Sequence, residues 1–201
     1  MTTAIAGLHV DRECRKAIAG NPNPVEIGLV QINNSFSNQN YFPYSIGILQ
    51  AYAQKHLTDA SRFRFRLPLY CRLPVDEAVR QLADAHVVFF STYVWNIRIS
   101  LEIARRLKEL RPAVLTVFGG PQVPNRVTDF LRRYPFIDIA VHGEGEQVFR
   151  QIVERGIFGD WAGIPSISWV DPDGTLVQRP MGPRIKDIGT VLKGPWDQPV
   201  V

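Results

Sequence analysis

The sequence is poor in the residues that hold metal ions and clusters. It contains two cysteines, Cys14 and Cys71, which lie far apart and follow no metal-ligand spacing. Such isolated cysteines are typical of reduced cytosolic thiols, and an iron–sulfur cluster needs three or four thiolates. No two histidines stand at metal-ligand spacing either; the four are His9, His56, His86 and His142. We therefore expect neither a cluster nor a protein-ligated metal in this chain.

Other absences argue against membranes and nucleic acids as partners. No apolar run approaches the roughly 18 residues of a membrane span, and the N-terminal stretch lacks the apolar core of a secretory signal. The net charge of +4 comes from 23 basic and 19 acidic residues. The basic residues are scattered, and many, such as Arg105 and Lys108, lie on predicted solvated helix faces. These features favour a cytoplasmic protein that binds neither a membrane nor a nucleic acid.

The composition indicates one globular domain with an arm and a tail. Of the 201 residues, 45% are hydrophobic, which suits a single core of ordinary size. Residues 1–24 are expected to form a loosely held arm that ends in the sequence Asn-Pro-Asn-Pro. Residues 25–179 form the predicted domain. Residues 180–201 carry four prolines and three glycines and are expected to be a linker-like tail.

Strand and helix patterns alternate five times within the domain. The pattern predicts a Rossmann-like α/β fold with a five-stranded parallel sheet. Because Pro68 removes a backbone donor, the second strand belongs at an edge, which favours the flavodoxin-like strand order 2-1-3-4-5. The predicted strands are 25–32, 63–69, 87–91, 113–118 and 137–141, and the predicted helices are 44–57, 75–85, 97–110, 127–134 and 147–155. A separate C-terminal β-hairpin is expected over 166–178, around the turn Asp171-Pro-Asp-Gly174.

Three loops are candidates for ligand contact, because parallel sheets bind ligands beyond the carboxyl ends of their strands. The loops 33–43 and 92–96 are rich in aromatic residues, which either cover the core or face a ligand. Gly119-Gly120 follows a buried strand, where bare backbone suits a tight turn or a ligand equally well. Gly143-Glu144-Gly145 opens the last helix, as a turn or as a backbone contact. The phosphate-binding and dinucleotide-binding glycine patterns are absent.

Several ordered segments resemble a known family. The segments FSTYVWNIRISLEIARRLKELRP, VFGGPQV and IAVHGEGEQVFRQIVERG occur in that order, and YFPYSIGILQAYAQKHL precedes them. Together with GIPSISWVDPDGTLVQRP they resemble the N-terminal cobalamin-binding domain of cobalamin-dependent radical S-adenosylmethionine enzymes. The resemblance covers nearly the whole of residues 25–190. Each motif alone is weak, but the ordered set is specific.

The resemblance implies a Rossmann-like domain that holds cobalamin at the carboxyl edge of its sheet. In that family the corrin ring lies over the loops, and the nucleotide tail is detached from cobalt and buried along the sheet. Carried over by position, the residues near or under the corrin are Ser35, Phe36, Tyr93, Val94, Trp95 and Asn96. The residues expected at the tail or the ring amides are Gly119, Gly120, Pro121, Gln122, Gly143, Glu144 and Gly145.

Two departures from related patterns refine this expectation. Methyl-carrying cobalamin domains that ligate cobalt use an Asp-x-His-x-x-G motif after the first strand, whereas the loop here begins at Asn33 and contains no histidine. His142 stands three residues before Gly145, but Ala140 replaces the aspartate and the strand is wrong. We therefore predict base-off cobalamin without a histidine ligand, with Trp95 crowding its lower face.

The second departure concerns catalysis. The C-x-x-x-C-x-x-C cluster motif of the radical enzymes is absent, so the chain is not expected to cleave S-adenosylmethionine by itself. It would carry methylcobalamin or hydroxocobalamin for a radical S-adenosylmethionine domain or a separate partner enzyme, whether it is an excised domain or a free-standing carrier. Two alternatives stay open: a cobalamin sensor or carrier, and a small hydrolase or transferase. The latter needs a nucleophile–base pair among Ser35, Ser91, His142 and Glu144, which spacing does not support.

Overall fold

A seven-stranded sheet organises the chain. The structure is a computed structural model, and it describes residues 20–21, 23–37 and 39–186. The strands are β1 Val25–Val30, β2 Ser35–Phe36, β3 Gln39–Asn40, β4 Phe63–Phe65, β5 Val87–Ser91, β6 Leu115–Gly119, β7 Ile139–Val141, β8 Ile167–Val170 and β9 Leu176–Gln178. The α-helices are α1 Tyr44–His56, α2 Val75–Leu82, α3 Ile97–Leu110, α4 Thr128–Arg133 and α5 Glu146–Glu154. Two short 3₁₀ turns span Ala60–Arg62 and Gly156–Phe158.

The sheet confirms the predicted order of the parallel strands. Its order is β4-β1-β5-β6-β7-β8-β9, and the first five strands pair in parallel. The predicted hairpin is present, because β8 and β9 pair antiparallel, but it is not separate: β8 also pairs antiparallel with β7 and extends the sheet to seven strands. The alternation of the hairpin is visible in the sequence, but its pairing partner is not. Pairing covers the edge of β7 and buries Ile167 and Trp169.

Successive strand residues point to opposite sides of the sheet, and apolar residues lie on both sides. Helices therefore cover both faces. Leu29, Phe89 and Val117 pack with α1 and α5 on one face, called here the α1/α5 face. Phe90 and Phe118 pack with α2, α3 and α4 on the opposite face. All residues of β5 are buried, as its continuous apolar sequence predicts.

A buried ion pair lies at the amino edge of the sheet. The Nζ atom of Lys108 is 2.7 Å from Oδ2 of Asp138, and their side chains are 1% and 5% exposed. The same carboxylate oxygen accepts a hydrogen bond from the backbone N–H of Thr116 at 2.7 Å. The prediction that Lys108 lies on a solvated face was therefore wrong, because the lysine joins α3 to the start of β7.

Smaller differences concern segment ends and connections. The second predicted strand is shorter than its alternating pattern, and Leu69 forms only an isolated bridge to Val30. The loop 33–43 contains the small β2–β3 hairpin, which the sequence pattern did not predict. Most of the predicted arm over residues 1–24, including His9 and Cys14, lies outside the described residues, and so do residues 187–201 of the predicted tail. Within the described part of the chain, none of the helices is both long and apolar enough to cross a membrane.

Candidate ligand site at the carboxyl edge of the sheet

A cavity of about 310 Å³ lies over the carboxyl ends of β5, β6 and β7, between α1 and α5. It is called here the main cavity. Phe89, Val117 and Val141 form part of its lining on the α1/α5 face of the sheet. The other lining residues are Tyr44, Ser45, Ile46, Ile48, Leu49, Phe90, Ser91, Tyr93, Gly119, Gly120, Pro121, Gly143, Gly145, Glu146 and Phe149. Apolar walls with a few hydroxyls and bare backbone suit an organic ligand with limited polarity.

The start of α1 is fixed to the neighbouring strand and turn. The side-chain Oε1 of the buried Gln31 accepts a hydrogen bond from the backbone N–H of Ile46 at 2.9 Å. The hydroxyls of Ser45 and Tyr93 lie 2.6 Å apart and share a hydrogen bond. Gln31 follows β1 directly, so these two contacts hold one wall of the main cavity against the ends of two adjacent strands.

The turn after β5 presents a flat aromatic pair. The rings of Tyr93 and Trp95 are stacked, with centroids 4.7 Å apart and planes 6° from parallel. Trp95 is 43% exposed and Val94 is 74% exposed, whereas Tyr93 lines the main cavity. The guanidinium of Arg72 donates a hydrogen bond to the carbonyl oxygen of Trp95 at 3.0 Å. The pair therefore joins the cavity to an exposed aromatic surface.

Asn96 shapes this turn from inside the protein. Its side chain is fully buried, and its Oδ1 accepts a hydrogen bond from the backbone N–H of Tyr93 at 2.7 Å. Its Nδ2 donates to the carbonyl oxygens of Ile32 and Ser91, each at 3.0 Å. The amide is not among the groups that line the main cavity, and it makes no side-chain cap at the start of α3. It holds the loop that presents the aromatic pair.

Glycine is required at two of the predicted turns. Gly120 has φ +100°, and a Cβ there would lie 2.6 Å from the carbonyl oxygen of Thr92. Thr92 is itself fixed, since its backbone N–H and its hydroxyl both donate to the carbonyl oxygen of Gly119. Gly143 has φ +69°, a backbone conformation that residues with a side chain rarely adopt. The second glycine turn allows close packing too, because a Cβ on Gly145 would come within 3.1 Å of Leu49 on α1.

The structure brings part of the predicted set together. The predicted residues that line the main cavity are Tyr93, Gly119, Gly120, Pro121, Gly143 and Gly145. The predicted residues that lie elsewhere are Ser35, Phe36, Val94, Trp95, Asn96, Gln122 and Glu144. Ser35 lies in a separate polar pocket with Arg72 and Cys71, and Phe36 is 71% exposed. The carboxylate of Glu144 accepts a hydrogen bond from the backbone N–H of Ile185.

Sequence reasoning missed most of the helical walls of the main cavity. The contributions of α1 and α5 to its lining are Tyr44, Ser45, Ile46, Ile48, Leu49, Glu146 and Phe149. Both helices start directly after loops that were singled out as ligand sites. The first turns of α1 and α5 were therefore detectable candidates, because a helix that follows a strand begins at the same sheet edge.

No described histidine lines the main cavity. His142 follows the cavity-lining Val141, and its Nε2 lies 2.8 Å from the hydroxyl of Ser168. Burial lowers the pKa of His142, whose Nδ1 is buried without a hydrogen-bond partner. His86 lies before β5 at the amino edge, where its Nδ1 accepts the backbone N–H of Glu26. Burial, and secondarily the charge of Arg111, lowers the pKa of His86.

The residues proposed for a hydrolase do not form a nucleophile–base pair. Within residues 20–21, 23–37 and 39–186, no hydrogen bond joins any two of Ser35, Ser91, His142 and Glu144. The serine hydroxyl that shares a hydrogen bond with the His142 imidazole, that of Ser168, is fully buried and out of reach of a substrate. The geometry therefore offers no support for nucleophilic catalysis by these side chains.

Comparison with known proteins identifies similar sequences. The B12 binding domain family matches residues 43–153. A 2-(S-pantetheinyl)-carbapenam-3-carboxylate methyltransferase of Streptantibioticus cattleyicolor is 38% identical over 130 residues, or 64% of this chain and 19% of the relative. The cobalamin-dependent radical SAM methyltransferase TokK of Streptomyces tokunonensis is 34% identical over 130 residues, with the same two coverages. The chain thus spans about a fifth of the length of these relatives.

Solved structures share the fold at lower sequence identity. The cobalamin-dependent S-adenosylmethionine radical enzyme OxsB, with aqua-cobalamin and S-adenosylmethionine bound, superposes with a TM-score of 0.62 at 17% identity. That match covers 80% of this chain and 23% of OxsB. The methyltransferase TsrM from Kitasatospora setae, with cobalamin and a [4Fe-4S] cluster bound, gives 0.59 at 18% identity and covers 83% and 30% of the two chains.

Proposed function

Since the chain belongs to the B12-binding domain family, we propose that its main cavity receives the nucleotide tail of cobalamin. We further propose that the corrin ring lies over the stacked pair of Tyr93 and the exposed Trp95. The matched residues 43–153 contain α1, all but the last residue of α5, and the glycine turns beside the cavity. The observation that carries the proposal is the position of this cavity, which lies at the carboxyl edge beside a stacked aromatic pair whose outer member, Trp95, is exposed.

The dimensions and chemistry of the site fit this division of the cofactor. Pockets that enclose organic ligands measure roughly 300–1,000 Å³, and the main cavity of about 310 Å³ is at the lower end of that range. Such a volume suits an aromatic base with part of its sugar, but not a whole corrinoid. The macrocycle must then lie outside, where Trp95 offers an exposed ring. The hydroxyls of Ser45 and Ser91 and the bare backbone of Gly119 provide polar contacts inside.

We propose that cobalamin is bound base-off and without a histidine ligand. The support is that no described histidine lines the main cavity and that the side chain nearest to the proposed lower face is an indole, which does not ligate cobalt. Trp95 would cover that face and exclude water from it. The cofactor is expected as methylcobalamin or hydroxocobalamin, and in its methylated form it would supply the methyl-carrying chemistry.

The proposed role is to present the corrinoid to a radical S-adenosylmethionine domain or partner enzyme, with no iron–sulfur cluster in this chain. The names of the two relatives describe methyltransferases, and one of them is described as cobalamin-dependent and radical SAM. The chain corresponds to about a fifth of each relative, so the remaining steps of a methylation would be performed elsewhere. Methyl transfer after addition of the candidate radical enzyme would separate this role from that of a sensor or a simple carrier.

The first test is a binding and spectral measurement. The purified chain is mixed with hydroxocobalamin and desalted, and its visible spectrum is recorded. We expect a stoichiometric corrinoid with a base-off spectrum, and we expect Trp95→His to shift that spectrum towards nitrogen-ligated cobalt. Leu67→His is the control, because Leu67 is 95% exposed and remote from the main cavity. Failure to retain the corrinoid would refute the proposed function, and an unchanged spectrum in folded, loaded Trp95→His would refute the placement of Trp95.

A further inference from the structure

The segment Pro180–Lys186, called here the strap, folds back onto the domain. It runs directly after the last strand and is held first at Ser166. The backbone N–H of Ser166 donates to the carbonyl oxygen of Pro180 at 2.9 Å, and the hydroxyl of Ser166 accepts from the N–H of Gly182 at 2.7 Å. Ser166 is buried and adopts φ +58°, which is uncommon for a residue other than glycine. Two hydrogen bonds on one buried residue therefore fix the start of the strap.

A second set of contacts joins the strap to the glycine turn before α5. The carboxylate of Glu144 accepts a hydrogen bond from the backbone N–H of Ile185 at 2.9 Å. The methyl carbon of Met181 lies 2.7 Å from the position that a Cβ on Gly143 would occupy, so it rests against bare backbone. The strap is thus attached to the turn by one hydrogen bond to a carboxylate and by one side-chain contact.

The glycine turn separates two cavities. The main cavity is lined by Gly143 and Gly145, whereas a second cavity of about 210 Å³ is lined by Gly143, Glu144 and strap residues. Gly143 belongs to both linings. A ligand in the main cavity and the strap would therefore contact the same short piece of backbone from two directions.

We propose that Glu144 is a positioning residue that couples the conformation of the strap to ligand binding in the main cavity. This inference rests on the proposed function, because it requires the nucleotide tail of cobalamin in the main cavity. A strap that holds the turn in its observed conformation lowers the ordering cost of ligand binding, and by linkage the ligand must stabilise the attached strap. The conformation of residues 180–186 then depends on occupancy of the main cavity.

The test measures both sides of this coupling in the full 201-residue chain. Hydrogen exchange reports the amides of Gly182 and Ile185, and a fluorescence titration with hydroxocobalamin gives the dissociation constant. Saturating hydroxocobalamin should slow exchange at both amides. From the usual net strength of one hydrogen bond, Glu144→Ala should speed exchange at Ile185 by about fivefold and weaken hydroxocobalamin binding by roughly threefold. Glu144→Gln keeps an acceptor and should have a smaller effect on both quantities.

Two further variants complete the design. Asp129→Asn removes an exposed carboxylate on α4, outside both cavities, and should change neither quantity. Met181→Ala loosens the strap without altering charge and should weaken binding in the same direction as Glu144→Ala. The inference is overturned if hydroxocobalamin leaves exchange at Gly182 and Ile185 unchanged, or if both loosened variants bind it as tightly as the parent chain. A parent chain that retains no hydroxocobalamin overturns the proposed function and this inference together.

Discussion

At the scale of single residues, the shape of the main cavity depends most directly on Gly120. Its φ of +100° places the following proline at the cavity wall, and the carbonyl oxygen of Thr92 occupies the space where a side chain would begin. Gly174 provides an independent reference, because it has φ +85° in an open turn with no atom within 4 Å of its would-be Cβ. The two positions separate the cost of backbone conformation from the cost of steric overlap.

Alanine at each of these two glycines should lower the free energy of unfolding by a different amount. Gly174→Ala should lower the free energy of unfolding by about 1–2 kcal/mol, which is the cost of a left-handed conformation. Gly120→Ala should cost at least about 1 kcal/mol more, because the turn must also move away from Thr92. Urea denaturation measures both values. Equal losses in the two variants would show that the Thr92 contact relaxes without cost.

The buried imidazole of His142 leads to a prediction about pH. Burial lowers the pKa of His142, and burial with the charge of Arg111 lowers that of His86, so both side chains stay neutral in the folded protein at pH values where the unfolded chain is protonated. The unfolded state then binds more protons on acidification. The free energy of unfolding therefore keeps its full value above a pH of about 6.5 and decreases below it. Each histidine contributes a slope of at most about 1.4 kcal/mol per pH unit.

His142→Gln should reduce this dependence. The amide can still form a hydrogen bond with Ser168, but it does not titrate, so the free energy of unfolding should change less between pH 7 and 5.5 than in the parent chain. Urea denaturation at several pH values gives the slope, and His56→Gln is the control at an exposed position at the end of α1. The same slope in His142→Gln and in the parent chain would assign the pH dependence to other groups.

Residue-level prediction from sequence succeeded where backbone conformation dictated the residue type. The Gly119-Gly120 and Gly143–Gly145 turns were identifiable because glycines followed predicted strands, and the structure places Gly119, Gly120, Gly143 and Gly145 at the main cavity. The structural position of Asn96 was not predictable, since its hydrogen bonds to Ile32 and Ser91 connect segments whose distance depends on the folded sheet.

At the scale of elements, the pair formed by Lys108 and Asp138 joins α3 to β7 in a buried environment. Lys108→Met keeps the aliphatic stem but leaves a buried carboxylate without its cation, so it should destabilise the protein by about 3–5 kcal/mol. Lys108→Met with Asp138→Asn should recover part of that loss, because a neutral amide can still accept from Thr116. Urea denaturation of the two single variants and the double variant measures the coupling energy.

The exposed pair of Arg64 and Glu26 is the matched control for this prediction. Its atoms are 2.9 Å apart, but the arginine side chain is 65% exposed. Arg64→Met should therefore cost less than about 1 kcal/mol. A Lys108→Met variant that loses no more than Arg64→Met would mean that water or a rearranged side chain compensates Asp138.

Element prediction worked for type and order and failed for tertiary pairing. Apolar periodicity indicated α1 and α5, and Pro68 indicated the edge position of the second strand. The pairing of β8 with β7 could not be read from the sequence, because the pattern of Ile167–Val170 suits any edge with a buried face. Lys108 was misassigned for the same reason, since a helix pattern does not reveal which neighbouring segment supplies a carboxylate.

At the scale of the whole molecule, the sheet order, the two helical layers and the carboxyl-edge cavity follow from one rule about parallel strands. The structure has a cavity at the predicted carboxyl edge, but this main cavity lies over β5, β6 and β7, and the candidate loop 33–43 after β1 does not line it. The first turns of α1 and α5 both line this cavity, and the amount of space between two helices depends on the whole set of packed side chains.

The last prediction concerns how two ligands stabilise this whole molecule. Hydroxocobalamin has a nucleotide tail, whereas dicyanocobinamide keeps the corrin ring and lacks the tail. A ligand stabilises the folded protein more when its concentration exceeds its dissociation constant by more; at 100 times that constant, the free energy of unfolding rises by about 2.7 kcal/mol. We expect hydroxocobalamin to have the lower dissociation constant, because only its tail can enter the main cavity. At equal concentration, it should therefore raise the melting temperature more than dicyanocobinamide.

A variant that fills the cavity makes this comparison specific. Gly119 has φ outside the left-handed region, and a Cβ there would make only an ordinary van der Waals contact, with Cβ of Val141 at 3.6 Å. Because Gly119 lines the main cavity, the side chain of Gly119→Leu should extend into it. This leucine should occupy the room proposed for the tail, abolish the advantage of hydroxocobalamin and leave the smaller effect of dicyanocobinamide in place. Two outcomes would contradict the proposed position of the tail: that Gly119→Leu reduces the stabilisation by both ligands equally, or that both ligands stabilise the parent chain to the same extent. In either case the tail does not bind between α1 and α5, and cobalamin must bind elsewhere on the carboxyl edge.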